Sequence, residues 1–470
     1  MSADIRERLR RLGVHKGVAH LKPSPAKILE VERAKLEAVE SSKLKVESGN
    51  VSVTYSLSTF DFPLSTIDTP FGDATFSRAT YAIDHTHGDR PIRQALQHPH
   101  ELLGRLAGRA VPAFDLSDAL FIDTETTGLA GGAGTLAFMV GVGYFEKDEV
   151  RRMKDERTSD TSSFIPHPST FVVDQFFLRD PAEEMAMLHQ IDALLASRRH
   201  IVTFNGRSFD VPLLETRFTL SRMLPSFDEK LHLDLLMPAR RAWRNMIGAC
   251  NLGALEYHLL GVRRDQHDIA GFLIPELYRE WLAHNTGELN QDMQRVMYHN
   301  LHDILSMVTL SARLCEAFAQ PSHPSEHLAI GKEHEQRSAW DQAEQVYRSA
   351  NAQLPKPDMN ISRRLAYTLK RQGKLDEAVP HWQALADNND VEAQIELSKH
   401  YEWRNVNYEL ALRFAQRALR HTQNPVEQQA LIHRIERLEN KKRRASQLAS
   451  KPATNDQSPA ANCQPLATND

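Results

Sequence analysis

Apolar and polar positions change period along this chain, and the changes divide it into four stretches. Between about residues 111 and 318, short apolar runs come first and helical spacing follows. ALFID, ending at Asp123, LAFMVGVGYFE and TFVVDQFFL have strand length and are rich in aromatic and aliphatic residues. A Gly-rich connection, Thr127 to Thr135, joins the first two. Asp180-Pro181-Ala182-Glu183 then supplies a cap, a proline at the first helical position and an acid three residues after the cap, which predicts a helix through MAMLHQIDALLAS. Strand HIVTFN, helix VPLLETRFTLSR and the shorter strand LHLDLLM complete a β-β-β-α-β-α-β order. Hairpin-linked strands followed by strand–helix crossovers predict an α/β domain, a mixed sheet flanked by helices. Helices NLGALEYHLL and a long one from about Leu289 to Ala317 close this stretch.

From about 325 to 440 the pattern is helical and repeats. Ala343-x3-Tyr347-x2-Ala350, Ala378-x3-Trp382-x2-Leu385 and Ala411-x3-Ala415-x2-Ala418 recur at intervals of 35 and 33 residues. Small residues where paired helices touch, at a period near 34, predict an all-α tetratricopeptide-repeat domain. Such arrays offer an extended concave binding surface, so a protein partner is expected. Residues 441–470 hold too few apolar residues to fold and are expected to be a disordered tail. Residues 1–110 are mixed. The opening 27 residues carry seven Lys/Arg against Asp4 and Glu7, a basic arm, and Val51 to Ile83 reads as short strands.

Composition narrows the picture. Hydrophobic residues at 41% and charged residues at 25% exclude a collagen-like or globally disordered chain. Lys+Arg 57 against Asp+Glu 61 gives −4, so a nucleic acid would have to be held by local basic patches. Cys250, Cys315 and Cys463 are too few and too scattered for a disulfide framework or a Cys-rich zinc site, which fits a cytoplasmic protein. No apolar run approaches a membrane span, so no membrane partner is expected, and MSADIRERLRRLGVHKG lacks the apolar core of a secretory signal.

Three features carry candidate chemistry. Asp123 and Glu125, two apart at the end of the first strand, project to one side, where paired carboxylates are costly unless solvated or bound to a cation. In Asn205-Gly206-Arg207-Ser208-Phe209-Asp210 a strand ends, a glycine turns, and Asp210 opens a helix; the ordinary role of such an Asp is a helix cap. In Tyr298-His299-Asn300-Leu301-His302-Asp303, His299 and Asp303 share a helix face while Tyr298 diverges. Arg240, Arg241, Trp243 and Arg244 form a basic–aromatic cluster that either binds a strand, with the indole stacked on a base, or is a solvated face anchored by one Trp. Arg263 and Arg264 have the same two readings, and Asn205 either orders the turn or touches substrate. Gly128, Gly131, Gly132 and Gly134 are followed by no Gly-Lys-Ser/Thr, so a Walker loop is excluded.

Together Asp123-x-Glu125, Asn205-x4-Asp210 and His299-x3-Asp303 resemble the four-carboxylate 3′–5′ exonucleases of the RNase H-like superfamily. More narrowly, GAGTLAFMVGVGYF, NGRSFDVPLLETR, HLDLLMPARRAW and LGVRRDQHDIAGFLIPELY with HNLHDILSM resemble the bacterial YprB-type proteins, which often carry downstream tetratricopeptide repeats. The resemblance implies that Asp123, Glu125, Asp210 and Asp303 bind two Mg²⁺ or Mn²⁺ ions, hard cations that demand oxygen ligands. It implies a nucleic-acid substrate, DNA or RNA. The last motif departs from the superfamily, whose branches place a tyrosine four residues before the final aspartate or a histidine five before it. Here His299 is at minus four and Tyr298 at minus five, and helix geometry favours His299, an imidazole of ordinary pKa near 6.5, as the water-activating group. The competing expectations are a structure-specific endonuclease and a non-catalytic interaction scaffold.

Overall fold

In this computed structural model, residues 62–108, 113–128, 134–146, 168–227, 229–265, 268–284 and 287–449 are described. The basic arm, VSVTYSLS, Gly131, Gly132, Cys463 and the chain beyond 449 lie outside the described residues. The chain divides between Pro321 and Ser322 into two compact units.

In the first unit, seven strands make one sheet in the order β1-β2-β7-β6-β5-β8-β9. The strands are β1 (Ser65–Thr69), β2 (Gly72–Ala82), β5 (Ala119–Thr126), β6 (Ala137–Glu146), β7 (Thr170–Phe177), β8 (His200–Thr203) and β9 (Leu231–Asp234); β3 (Thr86–His87) and β4 (Arg90–Pro91) form a separate two-stranded ribbon. β5, β6 and β7 are antiparallel neighbours, while β8 and β9 run parallel to β5. The run of apolar side chains in β5 to β7 is buried on both faces, including Leu120, Phe121, Ile122, Phe138, Val142, Phe171 and Val173. This mixed sheet flanked by helices is the RNase H-like arrangement. Helix Ile274–Ala283 seals one part of it by stacking Tyr278 on Phe138 at 3.9 Å between ring centroids.

The region before residue 110 contributes to the same sheet. β2 pairs with β7 from Phe76↔Phe176 to Ala82↔Thr170. Arg78 grips the buried Asp174 with two parallel bonds, Nε to Oδ1 at 2.6 Å and Nη2 to Oδ2 at 2.7 Å, and Tyr144 of β6 donates to Asp174 Oδ2 at 2.9 Å. A carboxylate inside a sheet is tolerable because it is this fully paired.

Two elements fix the active end. Helix Asp210–Leu220 follows β8, and helix Gln291–Ala319, capped by Asn290 accepting from the Met293 amide at 2.9 Å, lies across the sheet. It comes close because β6 carries glycines where other strands carry side chains. A Cβ on Gly143 would sit 2.5 Å from Ile304 of the helix. The segment NLGALEYHLL is a four-residue α-turn, Leu252–Leu255, continuing as a π-helical turn, Glu256–Leu260, that ends on Gly261 at φ 66°.

The second unit is a helical repeat. Helices Trp340–Gln353, Leu375–Asp387 and Tyr408–His421 alternate with Met359–Arg371, Val391–Trp403 and Pro425–Ala449, and their starts are 35 and 33 residues apart. The repeated small and aromatic positions are the contact surfaces: Ala343, Tyr347, Ala350, Ala378, Trp382, Leu385, Ala411, Ala415 and Ala418 are all buried. The final helix passes Lys441, where the tail was expected to begin, and reaches Ala449. Its basic residues have a buried target: Arg434, Arg437 and Lys441 converge on Glu402 at 2.7, 2.8 and 2.9 Å.

Candidate active site

Across the middle of the sheet, Asp123 of β5, Gly141 of β6 and Gln175 of β7 are directly paired neighbours. Asn300 of the long helix, fully buried, lies over the gap that Gly141 leaves. Its Oδ1 accepts from Gln175 Nε2 at 2.9 Å, and its Nδ2 donates to Asp123 Oδ2 at 2.9 Å. Gln175 is held in turn by the Met297 carbonyl at 2.8 Å. Asp123 is therefore aimed by a fixed amide, and the long helix is locked to the strand that carries it.

The other acids gather around the same strand end. The β5–β6 register shifts between Glu125 and Thr126, a bulge of the kind that re-aims side chains beside active sites. Asp210 is the first residue inside its helix rather than the cap, which is Phe209. Its buried carboxylate accepts from Thr124 Oγ1 at 2.5 Å. Asp303 accepts from Arg264 Nη2, and its Oδ2 lies 3.8 Å from His299 Nε2. The turn leading to Asp210 is fixed by Asp234, which accepts from the Asn205 amide at 2.9 Å and the Arg207 amide at 3.1 Å. Asn205 itself adopts φ 68°, a conformation Asn tolerates better than most residues, so the turn-ordering reading describes its backbone.

Electrostatics mark this cluster. Burial, then repulsion from Asp303, Asp210 and Glu125, holds the Asp123 carboxyl well above the usual range despite the Asn300 bond. Burial pushes Glu125 up to about 8; nearby His299 works against this and Asp303 and Asp210 reinforce it. Burial takes Asp210 to about 6, with the Thr124 bond opposing. For His299, burial favours the neutral ring, but Asp303, the Asp268 bond at 2.7 Å and Glu125 outweigh it and raise the imidazole to about 9. That corrects the expectation of an unperturbed histidine. Tyr298 turns away: its ring stacks on His302 at 4.1 Å, and burial pushes its hydroxyl up to about 12.

Several hard oxygen donors with too little positive charge between them are what a divalent cation would satisfy. Among the described residues, however, no three acidic, His or Cys side chains converge closely enough to hold an ion as they stand. The charge imbalance has a consequence for stability. Between pH 6.5 and 9, Asp123, Glu125 and His299 retain protons in the folded chain that the unfolded chain has given up, so folding stability falls as pH rises. The slope is on the order of 1.4 kcal/mol per pH unit for each such group. Buried His87 and His302, lowered to about 3 and about 4 mainly by burial, act in the opposite sense only below about 6.5. Melting in chelator should occur at a lower temperature at pH 8.5 than at pH 6.5, and Mn²⁺ should cancel the difference.

Two groups expected at the substrate stand elsewhere. Trp243 is wholly buried on the inner face of helix Leu236–Ile247 beside Ala239 and Ala242, so it cannot stack on a base. Arg240, Arg241 and Arg244 occupy the exposed face of that helix. Arg264 is neither a solvated residue nor a free phosphate ligand: its side chain is 12% exposed and engages Glu256, Asp268 and Asp303. Asn300, Gln175, Gly141 and Asp268 were missed by sequence reasoning, although a glycine between Val140 and Val142 of an apolar strand was a usable signal. Gly141→Ala would place a Cβ 2.2 Å from Asn300 Oδ1. It should cost about 1–3 kcal/mol in a denaturant titration, and lower Mn²⁺ affinity by displacing the amide that aims Asp123.

Residues 120–315 match the family model described as RNase_H superfamily. The uncharacterized protein YprB of Bacillus subtilis (strain 168) is 32% identical over 318 residues, covering 65% of this chain and 70% of that protein.

Proposed function

The chain belongs to the YprB-like family of RNase H-like proteins, whose fold is of nuclease type, and we propose that it is a divalent-metal-dependent 3′–5′ exonuclease of DNA or RNA. The observation that carries this reading is the mutual repulsion of Asp123, Glu125, Asp210 and Asp303 around one strand end. These four would hold two Mg²⁺ or Mn²⁺ ions, whose charge would polarise the scissile phosphate and stabilise the leaving 3′ oxygen. Asn300 aims Asp123, and Thr124 holds Asp210. His299, tethered through Nδ1 to Asp268, directs Nε2 toward Asp303 and takes up the proton of the attacking water at that atom. It does so as a neutral ring, which requires that the surrounding negative charge first be neutralised.

The exposed arginines 240, 241 and 244 are proposed to contact the phosphate backbone. The helical unit is proposed to be of the tetratricopeptide type and to recruit a protein partner. End-labelled and circular single strands of DNA and RNA, incubated with Mn²⁺ or chelator, test the reading. Mononucleotides released from the 3′ end in Mn²⁺ alone support it. Cleavage of circles would make the enzyme an endonuclease, and inert substrates would leave an interaction scaffold.

A further inference from the structure

Arg264 follows the π-helical turn and Gly261, and its guanidinium is gripped from behind. Nε donates to Glu256 Oε2 at 2.7 Å and Nη2 to Oε1 at 2.6 Å, the parallel geometry that gives the strongest Arg–carboxylate pairs. Glu256 is 1% exposed and accepts a further bond from Ser306 Oγ at 2.5 Å, with His87 Nε2 2.8 Å behind the serine. The far side of the guanidinium is thus built into a buried polar chain. Its near side meets Asp303 Oδ1 through Nη2, while Nη1 reaches Asp268 at 3.2 Å.

The candidate ligands are therefore not equivalent. Asp123 and Asp210 are met by neutral donors, Asn300 and Thr124, that leave their charge uncompensated. Asp303 already has a cation, and one that no accessible pH can deprotonate. We propose that Arg264 is a positioning residue that holds Asp303 in place of a second metal ion. The chain then takes one divalent ion at Asp123, Glu125 and Asp210, and admits another at Asp303 only when the guanidinium gives that carboxylate up. Metal loading is ordered, with the second site weakened by a side chain of the protein itself. The inference rests on the metal-dependent reading above and adds to it an unequal division of the four acids.

Mn²⁺ binding to the full-length protein, followed by calorimetry and by the electron paramagnetic resonance of free Mn²⁺, tests this without any activity readout. Wild type should bind one ion at least about tenfold more tightly than a second, because a charge-assisted pair must be surrendered for the latter. Asp123→Asn should weaken the first ion by at least about tenfold. Asp303→Asn should change it by less than about threefold, within the ordinary scatter of a remote charge. The Glu256→Gln/Arg264→Gln pair, which removes both buried charges together, should strengthen the second ion by roughly tenfold. Adding Asp303→Asn to that pair should abolish the gain. Equal loss of the first ion in Asp303→Asn and Asp123→Asn overturns the proposal, and that comparison stands even where the double variant fails to fold. A folded double variant that binds both ions as wild type does overturns it too. A wild-type chain that binds no Mn²⁺ would instead overturn the metal-dependent reading.

Discussion

Asp123→Asn should lower nucleolytic turnover by about 10³-fold or more, the scale on which loss of a central catalytic group is felt, and should at the same time stabilise the metal-free protein. Both effects have one cause. Asp123 stands where three other acids repel it and one amide holds it, so its ionised form is held against a gradient that a cation would reverse. Asparagine keeps an oxygen for Asn300 but loses the charge. At pH 8 in chelator the variant should therefore melt higher than wild type, by about 2–4 °C for each kcal/mol of repulsion relieved. Hydrolysis of an end-labelled strand and calorimetric melting report the two halves separately. Normal hydrolysis would remove the carboxylate from the chemistry, and a lower melting temperature would mean that it is a structural group.

His299→Ala should reduce turnover by roughly 10²-fold or more, the usual contribution of a positioned acid–base group, while Tyr298→Phe stays near wild type. The two neighbours point into different environments. His299 is strung between Asp268 at 2.7 Å and Asp303 at 3.8 Å, and Tyr298 is buried against His302. Because the ring titrates near 9 in the metal-free chain, its NMR signals should move over that range, and added Mg²⁺ should shift the midpoint down by screening the carboxylates that raise it. A severe defect in Tyr298→Phe beside a nearly normal His299→Ala would reverse the assignment of the proton-accepting group.

The strand order from β5 to β9 was legible because each element carries its own apolar run and turn chemistry. The repeat was legible because Ala343, Ala378 and Ala411 recur at one spacing. Other features depend on contacts that no local window contains. Arg264 follows a glycine and looks like a surface residue, yet its partners come from positions 256, 268 and 303. Asn300 owes its place to a glycine on β6 and a glutamine on β7. Trp243 is different. Ala239, Ala242 and Trp243 fall on one side of the helix and Arg240, Arg241 and Arg244 on another, so helical periodicity alone separated the anchor from the basic face.

The hairpin β1–β2 sets a timetable for synthesis. β2 is translated well before β7, with paired residues between 88 (Ala82–Thr170) and 100 (Phe76–Phe176) positions apart. At ribosomal rates of about 5–20 residues per second, that is a wait of roughly 5–20 s. Through that interval the hydrogen-bonding edge of β2 is unclaimed, and an isolated two-stranded ribbon has little stability of its own. A nascent chain of this protein therefore passes through a period in which its earliest strands depend on a chaperone, or on chance, to stay unpaired with the wrong edge. The helical repeats emerge last and can each close on a neighbour already made.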